Sequence, residues 1–530
     1  MAKQIIIEEL VDAVIKATER PIDEWAVAAT LESMGLRDVD AVHDFGKRDI
    51  FDLASDIFQK CLAKLQYRSS LGEKDEALGA RSQITSFFRF YSSGLMFAMP
   101  MAGQIAMLFI LRYSLWAYFD FTEEQATIVA LGTILGFIVT GGFIQVIARR
   151  GIFYREQKLY ALVKGVCFHI TKIATVAIFA IGIIVYLVNA LFPFLSQQMI
   201  IVSLMYYVLT AHLWISMSLL YTLEKRLAIL IATLFGVGVV YLVLTMTTWD
   251  IMPAQWCGLL AADIMMYAIG YIVLHRWKQK MEGNLRLAKL PRESVLVYAV
   301  RYYFIYGTLY FAYLFLDRIV GWSSSTGADV PYLFWFRTSY ELGMDWALFS
   351  FIIAVGSLEY SIRRFSQIMI PKQKKFLGWD SSLHNRYFTR FYLRQCVLLV
   401  ITTIISITLV YYGGICIRDH FPDVRLVQDF FANPLTFTVF WAGAAGYALT
   451  TIGLLNCSFF FTLSRPTLAL RAIVPAFVVN LIVGFILSRA ISYEYSVYGL
   501  VAGALVFAVI STINGWRLMR SLDYYYYSAY

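Results

Sequence analysis

Residues 295–322 read VLVYAVRYYFIYGTLYFAYLFLDRIVGW, and residues 337–370 read RTSYELGMDWALFSFIIAVGSLEYSIRRFSQIMI. Each contains an apolar run long enough to cross a bilayer, which takes about 20 helical residues. Each also carries charge where charge is costly: Arg301, Asp317 and Arg318 in the first run, Glu359 in the second. Charged groups are tolerated at membrane depth when they face a bundle interior or a wet cavity. This mid-chain helix pair sets the fold class and marks where function is sought.

The rest of the chain agrees. Apolar residues make up 59% of it and charged residues 15%, with a mean hydropathy of +0.63. A soluble domain has roughly 25% charged residues. The expected class is therefore an all-α, polytopic membrane protein. About twelve spans are expected, near 87–115, 124–148, 163–191, 197–223, 227–248, 253–276, 295–321, 343–366, 386–413, 434–463, 467–488 and 495–518. Residues 1–82 precede them as a small helical cytosolic domain with a polar linker over 69–83, so no cleavable signal peptide is expected. The second helix of that domain ends at Gly35, a candidate left-handed cap, and the third ends at Gly46.

The net charge of +9 does not point to nucleic acid, because the basic residues are placed by topology. The loops after the even-numbered spans hold about 22 Lys and Arg and the other loops about four, and basic loops stay in the cytoplasm. Both termini are then cytoplasmic, Gly283 lies inside and Thr326 outside. The basic stretch HRWKQKMEGNLRLAKLPR, from His275 to Arg292, falls after the sixth span. It divides the membrane part into six-helix bundles over 83–277 and 295–520, joined by a linker over 278–294 and followed by an aromatic tail over 521–530. Two parallel halves are a transporter pattern.

Several features have both a packing reading and a functional one. Gly94, Pro100 and Gly103 interrupt the first span, where freed backbone must face protein or water. Thr140, Gly141, Gly142, Gly236 and Gly238 suit close helix packing. His212 and Asp263 lie within apolar spans and are candidates for the substrate pathway or its coupling. Asn456, Asn480 and Asn514 suit interhelical hydrogen bonds. The six cysteines form no CxxC pair and read as core residues. Aromatic residues are 16% of the chain, more than interfacial belts require, and flat rings with polar tips suit sugars. No Walker loop, HExxH or GxSxG motif appears, which excludes an ATPase within this chain.

The span count, the charged seventh span and the phrases FAYLFLDRIVGW, LEYSIRRFS and LDYYYYSAY resemble the exopolysaccharide exporters related to PelG, in the multidrug/oligosaccharidyl-lipid/polysaccharide (MOP) flippase superfamily. The resemblance covers about residues 85–530 and leaves residues 1–82 without an assigned role. It implies a multi-pass bacterial inner-membrane protein that moves a polysaccharide or its lipid-linked precursor. It also implies a cytosolic glycosyltransferase and other secretion-complex subunits as partners, with no catalytic residues and no resident cofactor. A coupling cation, H+ or Na+, is the one small ion such a carrier would use. Two other classes stay open: a membrane glycosyltransferase acting on a lipid-linked sugar, and a non-transporting scaffold of a synthase complex.

The helical rise of about 1.5 Å per residue puts Arg301 and Glu359 at similar depth on successive antiparallel spans. They are expected to pair as a gate towards the cytoplasmic side, with a static pair or a snorkelling Arg301 as the alternatives. Asp317 and Arg318 are expected near the outer end, close to Arg337, Glu341 and Asp345.

Overall fold

The computed structural model describes residues 2–18, 21, 23–76, 80–96, 98–280, 291–324, 332–375, 381–422 and 425–527. Gly283 and Thr326 lie outside them. Four helices form the N-terminal bundle: α1 Ala2–Thr18, α2 Glu24–Ser33, α3 Asp38–Phe45 and α4 Ile50–Glu76. Asp23 opens α2, its Oδ1 accepting the Ala26 N–H at 2.7 Å. Gly35 and Gly46, at φ +93° and +69°, let the chain leave α2 and α3. Val14, Val27, Leu31, Ala41, Leu53 and Ile57 form the core of this bundle. Cys61 is buried there too, and burial pushes its thiol up to about 11.

The expected linker is mostly helical. The last helix of the bundle continues to Glu76, and α5 Ala80–Leu95 begins four residues later. Polarity suggested a linker, but Leu71, Glu73, Lys74 and Glu76 are good helix formers, and propensity prevails. The first span is broken as the Gly94 and Pro100 signals suggested: α5 meets α6 Met99–Leu111 at 62°, with Pro100 in the first turn of α6.

The remaining helices run in order: α7 Glu123–Glu156, α8 Tyr160–Leu191, α9 Gln197–Thr222, α10 Arg226–Met246, α11 Ile251–Lys280, α12 Glu293–Trp322, α13 Thr338–Lys375 and α14 Ser381–His420. A short α15 Arg425–Phe431 precedes α16 Pro434–Thr462, α17 Pro466–Ala490, α18 Val497–Arg520 and the tail helix α19 Leu522–Tyr527. Among the described residues, eleven helices are long and apolar enough to cross a membrane, and the bent α5–α6 pair makes a twelfth span. The described residues hold no strand beyond an isolated bridge between Tyr113 and Tyr118.

Packing repeats six spans on. The pairs α7–α9, α9–α11, α10–α11 and α6–α10 in the first half recur as α13–α16, α16–α18, α17–α18 and α12–α17 in the second. The least buried spans, α8 and α14, hold equivalent places, with 22% and 17% of their central windows buried against 61% for both α7 and α13. The fold is thus two helical bundles of six spans. They meet chiefly where α5 packs on α13 and where α12 packs on α7. The buried amides tie the second bundle together. Asn456 binds the Tyr392 hydroxyl at 2.8 Å and Ser511 at 3.1 Å, and the Asn480 amide donates to the Tyr313 carbonyl at 3.1 Å. All six cysteines are free.

Candidate functional site

The two joints between the halves are built from glycine, and they match to within one residue. At the first, Gly94 of α5 crosses Gly356 of α13: a Cβ on Gly94 would lie 2.9 Å from both the Gly356 Cα and the Glu359 Cβ. At the second, Gly307 of α12 crosses Gly141 of α7, where a Cβ would strike the Gly141 carbonyl and come within 2.6 Å of Gln145. An aromatic three residues before each crossing glycine covers a glycine opposite: Tyr91 lies over Gly356 and Phe304 over Gly142. The sequence carries this repeat. Gly142-x-x-Gln145-x-x-x-Arg149-Arg150 matches Gly356-x-x-Glu359-x-x-x-Arg363-Arg364. Small residues let helices approach to backbone contact, and here they do so between halves. Gly236 likewise packs against the Gly258 carbonyl, whereas Gly238 faces open space and has no packing role.

Glu359 stands at the first joint, but not with the expected partner. Its carboxylate accepts from Arg363 Nε at 2.6 Å and pairs with Arg226 at 3.4 Å. Arg226, at the start of α10, also donates to the Ser93 hydroxyl at 2.6 Å and to the Ser93 carbonyl. One cluster thus ties α5 and α10 of the first half to α13 of the second. Arg301 is not in it. It is exposed, donates to the Tyr302 hydroxyl at 3.0 Å and lies over the Tyr298 ring at 4.3 Å. The cause is helical phase: Leu296, Val300, Tyr303 and Tyr306 are the buried side of α12, and Arg301 sits off that stripe. The side of the helix a residue occupies decides the partner.

Asp317 and Arg318 enter a buried network with α13. Arg318 donates to Glu341 at 2.6 Å and to Asp345 at 3.0 Å. Glu341 also accepts from Trp322 Nε1 at 2.8 Å, and Asp317 accepts from the Tyr340 hydroxyl at 2.6 Å. Arg337, the other expected neighbour, instead donates to the Ser324 carbonyl at 3.3 Å and lies over the Tyr493 ring. Asp317 and Glu341 are buried and share the single buried guanidinium. One Asp317 oxygen has no hydrogen-bond partner among the described residues. Buried charge without a partner is costly, and the Tyr340 hydroxyl and the neighbouring Arg318 offset part of that cost.

The first bundle holds a lone acid. Asp263 of α11 is buried, with one carboxylate oxygen unpartnered among the described residues. Ser216 of α9 and Tyr267 are its polar neighbours. His212, one turn before Ser216, has both ring nitrogens engaged. Nδ1 lies 2.8 Å from the Val208 carbonyl and Nε2 3.3 Å from the Thr175 hydroxyl. These contacts tie α9 to α8. Nearby, Phe137 of α7 packs on Trp214 at 4.1 Å and on Phe311 and Phe315 of α12 at 5.3 Å each. This aromatic group bridges the halves.

Sequence reasoning missed two turns. Thr222-Leu223-Glu224-Lys225-Arg226 and Thr462-Leu463-Ser464-Arg465-Pro466 are equivalent turns at the basic end. Each has a left-handed third residue, Glu224 at φ +57° and Ser464 at +56°. Each has the same closing bond, Lys225 N–H to the Leu220 carbonyl at 2.9 Å and Arg465 N–H to the Phe460 carbonyl at 2.7 Å. Ser464 receives Arg149 of the other half at 2.6 Å, as the Arg226 turn reaches Ser93 and Glu359. The signal was the repeated Thr-Leu-x-basic phrase.

No protein-family model matches the chain, and no curated protein matches it. Solved structures do. An outward-facing multidrug resistance MATE family transporter of the MOP superfamily is 12% identical, with 83% of this chain and 96% of that chain covered and a TM-score of 0.53. A MATE in the straight conformation is 13% identical, with the same coverage and a TM-score of 0.50. The Vibrio cholerae MATE transporter VcmN in its bent form is 12% identical, with 84% of this chain and 99% of that chain covered and a TM-score of 0.52. The fold is MATE-like.

Proposed function

We propose that this chain is a membrane translocator that exports a polysaccharide or its precursor across the bacterial inner membrane by alternating access, within a secretion complex. The observation that carries this reading is the pair of matched glycine crossings. Two similar bundles joined at two equivalent backbone contacts can rock about them, which is how parallel-repeat carriers change the side to which a site opens. The MATE-like fold and the resemblance to PelG-related exporters support it. The loop charge supports cytoplasmic termini. The aromatic bridge of Phe137, Trp214, Phe311 and Phe315 offers stacking faces to sugar rings. A soluble glycosyltransferase would supply the glycan, and the N-terminal bundle is the part free to receive such a partner.

Asp263 is the proposed coupling acid, taking H+ or Na+ in a dry first bundle. The test is the full chain in vesicles with a labelled glycan and an imposed ion gradient. Wild-type protein is expected to move the glycan faster with the gradient. Asp263→Asn is expected to fold and to lose at least tenfold of that stimulation. Sugar transfer catalysed by the chain alone would replace this reading with a glycosyltransferase, and a folded chain that moves no glycan under any gradient would leave a scaffold.

The Glu359 cluster is proposed as the gate at the basic end. Glu359→Gln leaves Arg226 and Arg363 facing each other without their shared anion, and like charges repel. Export is expected to fall about tenfold while the folded yield stays near wild type, a loss of roughly 1.4 kcal/mol. Arg301→Gln, on the exposed side of α12, is expected to export normally. Transport rates and yields of the two variants measured side by side decide the point, and equal effects would remove Glu359 from the gate.

A further inference from the structure

A cavity of about 370 Å³ opens at the basic end, against the break in the first span. Its wall draws on three places: Ser93 and Met96 at the end of α5, Lys225 and Arg226 at the start of α10, and Arg363 of α13. The first two belong to one half and the third to the other. A cavity of this size accommodates a small ligand.

Its charge is unbalanced. Arg226 and Arg363 share the one carboxylate of Glu359. Glu224, also on the wall, is engaged by Arg155 at 3.1 Å. Lys225 is exposed and has no ion pair among the described residues. Arg155 also pairs with Glu156 at 2.7 Å, so the wall sets three cations, Lys225, Arg226 and Arg363, against the carboxylates of Glu359 and Glu224, a net excess of positive charge among the described residues. The first turn of α10 adds to this, because no side chain caps it. Uncapped N–H groups and the helix dipole favour negative charge at that end.

The geometry points to a binding site for a phosphate-class anion, held by Lys225, Arg226 and Arg363. Guanidinium and ammonium groups bind phosphoryl oxygens through charge-assisted hydrogen bonds. Two sources share this chemistry: the headgroup of an anionic phospholipid in the adjacent leaflet, and a soluble phosphate such as pyrophosphate. Because the cations come from both halves, a bound anion holds α10 and α13 together at this end and adds to the compensation that Glu359 provides. This site is independent of what the protein exports.

The test uses the purified full chain. Its thermal midpoint and bound lipids, read by native mass spectrometry, are compared in phosphatidylcholine nanodiscs and in nanodiscs containing phosphatidylglycerol. A second arm titrates pyrophosphate into the phosphatidylcholine sample. An anion that binds raises the midpoint; a rise with phosphatidylglycerol alone identifies the lipid headgroup, and a rise with pyrophosphate the soluble ligand. Lys225→Gln, which breaks no ion pair among the described residues, is expected to weaken binding about tenfold, as loss of one charged hydrogen bond does. Lys225→Arg is expected to retain it, and Arg363→Gln to weaken it similarly. Lys158→Gln, at the same end but off the cavity wall, is expected to bind as wild type. No rise with either anion overturns the assignment. So does a Lys158→Gln loss equal to that of Lys225→Gln, which would mean diffuse surface charge.

Discussion

Arg318→Gln is expected to lose most of the folded protein. The Arg318 side chain is 9% exposed and that of Glu341 4%, and the two meet at 2.6 Å. Removing one partner of a buried pair leaves the other charge without compensation, at a cost of about 3–5 kcal/mol. Glu341 would keep only the Trp322 N–H, and Asp345 would lose its hold on α12. The yield of monodisperse full-length protein and its thermal midpoint read the effect. Arg318→Met combined with Glu341→Gln is expected to recover much of it. The double variant removes both charges and keeps an oxygen for Trp322, and replacing a buried pair by uncharged groups is often close to neutral. A single variant that melts with wild type, or a double variant no better than the single, would show that the network contributes little.

That network was legible in outline from the sequence. Arg318 follows the apolar run of α12, and Glu341 and Asp345 open α13, so an antiparallel hairpin brings them level. The count of spans, the break near Pro100 and the division after the sixth span were also legible, because each rests on length, proline chemistry or charge. What failed was azimuth. Arg301 lies off the buried stripe of α12, and depth arithmetic carries no information on which side of a helix a residue occupies. Of the partners of Glu359, Arg363 is one turn on in its own helix, while Arg226 lies far away in sequence, in a turn whose role depends on the packing of halves. The tract over residues 69–83 reads as a polar linker, yet residues 69–76 and 80–83 are helical with Gly72 inside, since a single glycine costs a helix only about 1 kcal/mol.

The internal repeat was present but quiet. Tyr91-x-x-Gly94 matches Phe304-x-x-Gly307, and the partner helices match at Gly142 and Gly356. Only an aromatic, two glycines and a basic pair are held in common. The repeat survives where two backbones touch and the turns demand a left-handed residue, and elsewhere any apolar side chain serves.

The largest effect outside the charged network is expected at that contact. In Gly307→Ala, the new methyl group would strike the Gly141 carbonyl and lie 2.6 Å from Gln145. A flexible side chain could turn away, but a helix carbonyl cannot, so α12 and α7 must separate along one of the two main joints between the halves. Overpacking a tight site costs about 1–3 kcal/mol in stability. Here it also displaces one of the two points about which the bundles are proposed to rock. Gly307→Ala is therefore expected to lower the thermal midpoint and to reduce export by more than tenfold, and Gly307→Val to prevent folding. Gly94→Ala is expected to be milder, because its nearest contacts are at 2.9 Å. Gly238→Ala and Gly413→Ala add a methyl group where nothing lies within 4 Å, and both are expected to match wild type in yield and export. Measured together, the four alanine variants separate close approach from a general intolerance of glycine replacement. Should Gly307→Ala melt and export like Gly238→Ala, the crossing is not the tight joint described and rocking about it loses its support.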